Sequence, residues 1–513
     1  MIRRRIAYVF PAIIGLSIAT AAIPAEPNDV PELAHRDDLS AADRARVLAV
    51  TRPAEQFETA EPFEANQGGA ATINKIINRD IFSHPSANLT FEERDDFLVG
   101  NGLFRKDWVS SPASTLASDG LGPLFNARSC QGCHLKDGRG HLPAGAEDDA
   151  VSMLVRLSVP PATAADVAAL ENRTALVIGE PTYGAQLQDF AVPGLSAEGK
   201  VAIAYEELPI ALNGGETVLL RKPIVTITDT GYGAMHPDTM TSVRVAQPMI
   251  GLGLLEAIDE GDILAGADPD DADGDGISGR ASQVRGVKSG DVALGRFGWK
   301  AINPTVEEQS AAAFSGDMGL STPLMPAHYG ECSAAQVDCR AMPHGAQPHL
   351  GAEEVPKEML DLVTFYAANL AVPLRRDVDD PQVLAGKAQF YAAGCAACHT
   401  PKFVTRRDAD RKAHRFQLIW PYTDMLLHDM GDGLADNRPE GDANGREWRT
   451  PPLWGIGLTK TVNAEATFLH DGRARNLLEA VLWHGGEAAG ARDRVIAMEP
   501  DDRAALIRFL ESL

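Results

Sequence analysis

The chain has 513 residues, 44% hydrophobic and 23% charged: enough apolar material for two or three cored domains and too little charge bias for a disordered polymer. A formal net charge of −24 repels phosphate backbones, which excludes nucleic acid as an expected partner. A basic or neutral protein partner is compatible with it, and so is plain solubility.

In chain order, Met1-Ile2-Arg3-Arg4-Arg5 precedes an apolar run from Ile6 to Ile23, with small residues at Ala19, Thr20, Ala21, Ala22 and Ala25. This is the pattern of an export signal over residues 1–25, and Pro11 and Gly15 favour a cleaved signal over a retained anchor. No later segment is apolar for long enough to cross a bilayer, so a periplasmic protein without a stable membrane span is expected. Residues 26–85 read as an N-terminal lead-in without clear periodicity. Thr90 with Glu93 three residues on predicts a capped helix running towards Phe104.

The most specific signal is repeated. Cys130-Gln131-Gly132-Cys133-His134 and Cys395-Ala396-Ala397-Cys398-His399 are both Cys-x-x-Cys-His, the attachment motif of c-type haem. Two thiols one turn apart each add to a vinyl group of one porphyrin, and the histidine that follows falls beneath the iron. Two covalent haems are therefore expected, on Cys130 and Cys133 with His134, and on Cys395 and Cys398 with His399. His141, seven residues beyond His134, is open to three readings: a ligand, a distal acid–base group or an ordinary loop histidine.

Between the motifs the character changes. Val151–Val159 and Val218–Ile227 alternate or are β-branched and predict strands, so a β-containing insertion occupies part of the 261 residues from His134 to Cys395. Asp271, Asp273, Asp275 and Gly276 match the opening of an EF-hand-type loop, although position twelve is Ser282 instead of the usual glutamate; the expected occupant is calcium. Cys332 and Cys339 lack a following histidine and predict a local disulfide in an exported protein. An amphipathic helix is expected over Glu353–Leu370, then a linker at Val372–Asp377, a helix starting at Asp380-Pro381, and a closing helix from Pro500 to Leu513. A helix before the motif and another at the end resemble the class I cytochrome c fold. The six tryptophans are 108, 299, 420, 448, 454 and 483; Trp299 is a candidate for carrying electrons between haems, with core packing as the other reading.

The run Phe468-Leu469-His470-Asp471-Gly472-Arg473, followed by Leu477, Glu479 and His484-Gly485, resembles the C-terminal signature of bacterial dihaem cytochrome c peroxidases. Tyr422-Thr423-Asp424 with Leu427-His428-Asp429-Met430 and Trp448-Arg449-Thr450-Pro451 fit the same family. Over most of the chain the closer resemblance is to the dihaem oxidoreductases, in Gly120–Ala127, Gly251–Ile258 and Trp483–Ala488. In the peroxidases a methionine some fourteen residues beyond the His-Asp-Gly histidine is the sixth ligand of the C-terminal haem; here that position is His484. The resemblance thus implies His399 and His484 as the axial pair of haem 2, with Met430, His428 and His470 as rivals. Asn476 and Glu479 can cap a short helix leading to His484. Imidazole in place of thioether lowers the reduction potential, which departs from the usual peroxidase cycle.

Peroxide cleavage needs an open iron and groups that move protons and stabilise negative charge. Arg244-Val245-Ala246-Gln247-Pro248 resembles an element near the peroxidases' active haem, which makes Arg244 a candidate, with Glu256 twelve residues on; Glu206, Glu207 and Glu216 are conceivable too. The expected architecture is mainly α: two class I cytochrome c-like domains with a β-containing insertion between the haem motifs, the first over 86–376 and the second over 377–513. The expected function is an exported dihaem oxidoreductase of peroxidase type, with peroxide at haem 1 and a small redox protein as donor or acceptor at haem 2. The alternatives are an electron-transfer cytochrome without peroxidase activity and a redox partner in metal-ion uptake.

Overall fold

The computed structural model describes residues 33–143, 151–347, 349 and 351–513, so the expected export segment lies outside the described residues. Helix accounts for 30% and strand for 16%, the latter in two-stranded sheets. Strands are not confined to the insertion: Leu427–Asp429 pairs with Glu447–Arg449 after the second motif, because this loop-rich half closes its backbone hydrogen bonds through short ladders. No helix among the described residues is long and apolar enough to cross a membrane.

Helix α1 spans Ala41–Thr51 and α2 spans Phe91–Phe104, the latter with a complete Thr90–Glu93 capping box. The one-turn helix α3, Cys130–Cys133, follows. In the insertion, β1 (Met153–Ser158) pairs with β4 (Met240–Val245), while β2 (Lys200–Ala211) and β3 (Thr217–Thr228) form a long hairpin. One end of the hairpin packs under β1 and β4, through Val201, Ile203, Val225 and Ile227. The other end buries Leu212 and Leu220 in the core of the C-terminal half. Then come α4 (Val306–Met318), α5 (Lys357–Ala368), α6 (Pro381–Ala392), α7 (Leu477–Leu482) and α8 (Pro500–Ser512). The Cys332–Cys339 disulfide forms in the loop after α4.

Two helix crossings organise the halves, and they match residue by residue. In the first, α2 crosses α5 at Gly100, where a Cβ would collide with the Leu362 carbonyl and the Tyr366 side chain. In the second, α6 crosses α8 at Gly386, where a Cβ would collide with the Ala505 carbonyl and Phe509. Four residues beyond each glycine is a phenylalanine, Phe104 or Phe390. It meets the aromatic ring four residues beyond the obstructing carbonyl: Phe104–Tyr366 at 5.1 Å and Phe390–Phe509 at 5.2 Å. The same phenylalanines lie 6.3 Å from His134 and 6.4 Å from His399. A close crossing that only glycine permits thus sets an aromatic floor beneath each motif histidine.

The lead-in ties the halves together. Glu64, fully buried, pairs with Arg375 in the connecting strap and with Lys387 on α6 at 2.8 Å. Ile73 donates its N–H to Val372 in the same strap.

Candidate functional site

Each motif closes as one turn, with His134 N–H donating to Cys130 O at 2.9 Å and His399 N–H donating to Cys395 O at 3.0 Å. None of the four motif thiols is in a disulfide, and burial pushes Cys130 and Cys395 up to about 12. Such thiols are poor thiolates, which speaks against a dithiol redox centre.

The imidazoles are oriented alike. His134 Nδ1 donates to Gln247 O at 2.7 Å, His399 Nδ1 to Tyr422 O at 2.9 Å, and His484 Nδ1 to Ala480 O at 2.8 Å. Burial lowers the pKa of all three, His399 to about 4, so each ring is neutral with its Nε2 lone pair unprotonated. A carbonyl on Nδ1 is how proteins prepare a histidine to bind metal through Nε2. α7, capped by Asn476 accepting from Glu479 N–H, carries His484 just past its end.

His399 and His484 line one cavity of about 450 Å³, together with Cys395, Cys398, Phe390 and Leu506. Its walls are largely apolar, but Gln247, the partner of His134, also lines it. Arg139 and Arg449 reach the cavity too, both buried, and burial lowers both to about 10. Among the described residues neither has a carboxylate within 4 Å; the acids that act on them, Asp471 and Asp424, are paired with Arg473 and His428. Gln247 Nε2 and Trp454 Nε1, also facing the cavity, are buried donors without partners. An apolar slot with two histidine nitrogens, two thiols and a cluster of cationic or unused donors fits a porphyrin, whose ring is apolar and whose two carboxylates need counter-charges.

The profile of the family described as "Di-haem oxidoreductase, putative peroxidase" matches residues 63–513. The chain belongs to this di-haem oxidoreductase family. Haem is therefore its cofactor, and redox chemistry its class of reaction. Among solved structures, the oxidoreductase is similar to hydrazine synthase from Kuenenia stuttgartiensis, pressurised with xenon, at 14% identity over 69% of this chain and 90% of that chain, with a TM-score of 0.26. No curated protein matches it.

The rival ligands of haem 2 sit differently. His428 has both nitrogens engaged, Nε2 with Asp424 at 2.8 Å and Nδ1 with Glu487 at 2.6 Å. Burial alone would lower its pKa, but these bonds and one to Cys398 outweigh it and raise the pKa far above the usual range, so His428 is an imidazolium. His470 is stacked on Trp448 at 3.7 Å and stands edge-on to Trp299 at 6.4 Å; burial lowers it to about 3. Met430 lines the cavity.

Of the other expected residues, Arg244 is buried in an ion network, 2.5 Å from Glu440 and 3.7 Å from Asp436, with Lys300 2.9 Å from the same aspartate. Glu256 accepts from Val306 N–H at 2.8 Å, which holds the start of α4, and pairs with Arg411 at 3.1 Å. Neither lines the cavity. His141 is half-buried, and its backbone N–H donates to Ser152 Oγ at 3.0 Å. In the acidic loop, donor oxygens of Asp268, Asp271 and Asp273 gather within 4.8 Å, whereas Asp275 faces the cavity. Glu207, Glu216 and Glu206 are on the exposed hairpin.

Sequence reasoning passed over Arg139, Arg449 and Asp317. Asp317 is half-buried near Cys130 and Cys133, raising the pKa of both thiols after burial itself. Its carboxylate accepts from Gln186 Nε2 at 2.9 Å, and burial raises its own pKa. In sequence it is one acid among 71 acidic residues, with no motif around it.

Proposed function

We propose that this oxidoreductase is an exported dihaem c-type enzyme that reduces peroxide at haem 1, on His134, with electrons entering through haem 2, on His399 and His484. The observation that carries the reading is the matched set of histidines, each buried, neutral and held at Nδ1 by a carbonyl, with His399 and His484 on one cavity. The repeated glycine crossing beneath both motifs supports two cytochrome c-like domains.

When bound, haem supplies one-electron chemistry at iron. The chain does the rest. Cys130, Cys133, Cys395 and Cys398 would hold both rings through thioether bonds. Arg139 and Arg449 would balance the propionate charge of a haem in this cavity. Peroxide reduction consumes two electrons and two protons per peroxide and yields two waters. Asp317, half-buried and with its pKa raised by desolvation, is the proton-transfer group beside the haem 1 motif, in the acid–base place expected of Arg244 and Glu256. The electrons come from a small redox protein. Asp268, Asp271 and Asp273 would hold calcium in the loop that Glu487 ties, through Ser278 Oγ at 2.6 Å, to His428 beside Cys398.

His484 also favours a second reading, electron transfer without peroxide chemistry, because two imidazoles make a low-potential carrier of haem 2. Peroxide consumption by the reduced holoprotein separates the two. Turnover that falls in Asp317→Asn supports the enzyme; rapid electron exchange without peroxide loss supports the carrier.

A further inference from the structure

Away from the haem cavity, His328, His344 and Glu354 come together in the loop between α4 and α5. One donor atom from each lies within 4.8 Å of the others. The two rings stack, with centroids 4.3 Å apart and planes 20° apart. Glu354 is buried, and its carboxylate accepts from Ser321 N–H at 3.1 Å, from Gly345 N–H at 3.1 Å and from the Ser321 hydroxyl. His328 Nδ1 stands 2.9 Å and 3.0 Å from its two oxygens.

The carboxylate is therefore fixed by the backbone on one side and aimed at an imidazole on the other. The loop itself is pinned twice. The Cys332–Cys339 disulfide closes the segment between the histidines. Gly345, next to His344, lies so close to Gly120 that a Cβ on either residue would meet the other strand or Glu354. Two imidazoles held parallel against a pinned carboxylate lose little freedom on taking up an ion, which is the preorganisation a metal site needs. His344 and His328 are partly open to solvent, so an ion has a way in.

We propose that His328, His344 and Glu354 form a binding site for a first-row divalent transition metal with an affinity for imidazole, of the Zn²⁺ and Cu²⁺ class, distinct from both haems. Imidazole nitrogen suits these ions better than Ca²⁺ or Mg²⁺, which take oxygen. The ion takes the place of the hydrogen bond between His328 Nδ1 and Glu354, with the imidazole as a neutral ring that carries its remaining proton on Nε2. Water completes the shell, as three protein donors leave a position open.

The test is titration of the holoprotein with ZnCl₂ by calorimetry in excess Ca²⁺, which occupies oxygen-only sites, together with zinc K-edge absorption of the loaded protein. The expected result is one Zn²⁺ with two imidazole scatterers. In His344→Ala, which removes an exposed side chain, the affinity should drop at least ten-fold with unchanged haem absorption. Glu354→Gln should weaken binding by about 10–100-fold. Unchanged affinity in His344→Ala and His328→Ala, or a zinc shell of oxygen alone, would overturn the site.

Discussion

His399 and His484 approach one cavity from opposite elements, the second Cys-x-x-Cys-His turn and the end of α7, and each spends Nδ1 on a carbonyl so that Nε2 is left for a metal. Tyr422 links the first of these to the body of the protein: its carbonyl orients His399, while its ring packs against Phe509 at 5.9 Å. His399 is thus held by the same helix crossing that organises the C-terminal half.

Replacing His484 should move haem 2 and leave haem 1 alone. His484→Met is expected to keep a six-coordinate haem 2 but raise its potential by part of the ~0.8 V range that axial ligation spans. His484→Ala should open the iron. Spectroelectrochemistry of the holoprotein reads both changes.

Arg449 is buried without a carboxylate partner among the described residues, and it donates to Gln247 Oε1 at 3.0 Å while the Gln247 carbonyl holds His134. Removing its charge as Arg449→Leu should lower the reduction potential of the nearer haem by on the order of tens of millivolts, since a buried cation favours the reduced, less positive iron. Arg449→Lys should restore most of the loss. Potentiometric titration distinguishes this from a packing defect, which would not respond to lysine.

Much of this was legible in the sequence wherever the chemistry is local. The two motifs are five-residue turns, the Thr90 and Asn476 caps act across three residues, and the strands at Met153–Ser158 and Thr217–Thr228 show their period directly. What was not legible depends on distant partners. Arg244 and Glu256 are as polar as any active-site residue, and only the fold shows that Glu440 and Arg411 engage them. Arg139 and Arg449 stand out for the opposite reason, the lack of a carboxylate within 4 Å among the described residues, which no local pattern can reveal. In the acidic loop the chain turns so that Asp268 joins Asp271 and Asp273 while Asp275 turns to the cavity, a geometry set by positive φ at Asp271, Gly274 and Gly276.

Gly386 and Gly100 should tolerate no side chain. Gly386→Ala is expected to cost about 1–3 kcal/mol through overpacking at the Ala505 carbonyl. Guanidinium unfolding of the holoprotein followed in the Soret band measures it, and Gly102→Ala, on the same helix as Gly100 with nothing within 4 Å of its would-be Cβ, is the control.

The Glu487–His428 pair gives stability a defined pH window. Burial would raise Glu487, but bonds from His428, Ser278 and Asp429 outweigh it and bring it to about 2. Its contribution is complete above its ordinary value of 4.5 and is lost as pH falls towards 2. His428, raised above 6.5, contributes fully below 6.5 and less as pH rises beyond it. Thermal unfolding of Glu487→Gln should show lower stability at neutral pH and a flatter slope on the acid side.

Asp317→Asn should leave both haem spectra nearly unchanged, because asparagine keeps the shape of the side chain and still accepts from Gln186 Nε2, and should slow peroxide reduction by about 10²–10⁴-fold, the usual worth of a positioned proton donor. Stopped-flow mixing of the half-reduced protein with peroxide measures it.

The most direct test of the whole account is the spin state of each haem, read by EPR and resonance Raman on the calcium-loaded holoprotein, oxidised and half-reduced, with and without peroxide. The expected result is one low-spin haem with two histidine ligands, lost in His484→Ala, and one high-spin haem that reacts with peroxide. Two low-spin haems in every state, inert to peroxide, would contradict it and leave an electron-transfer protein.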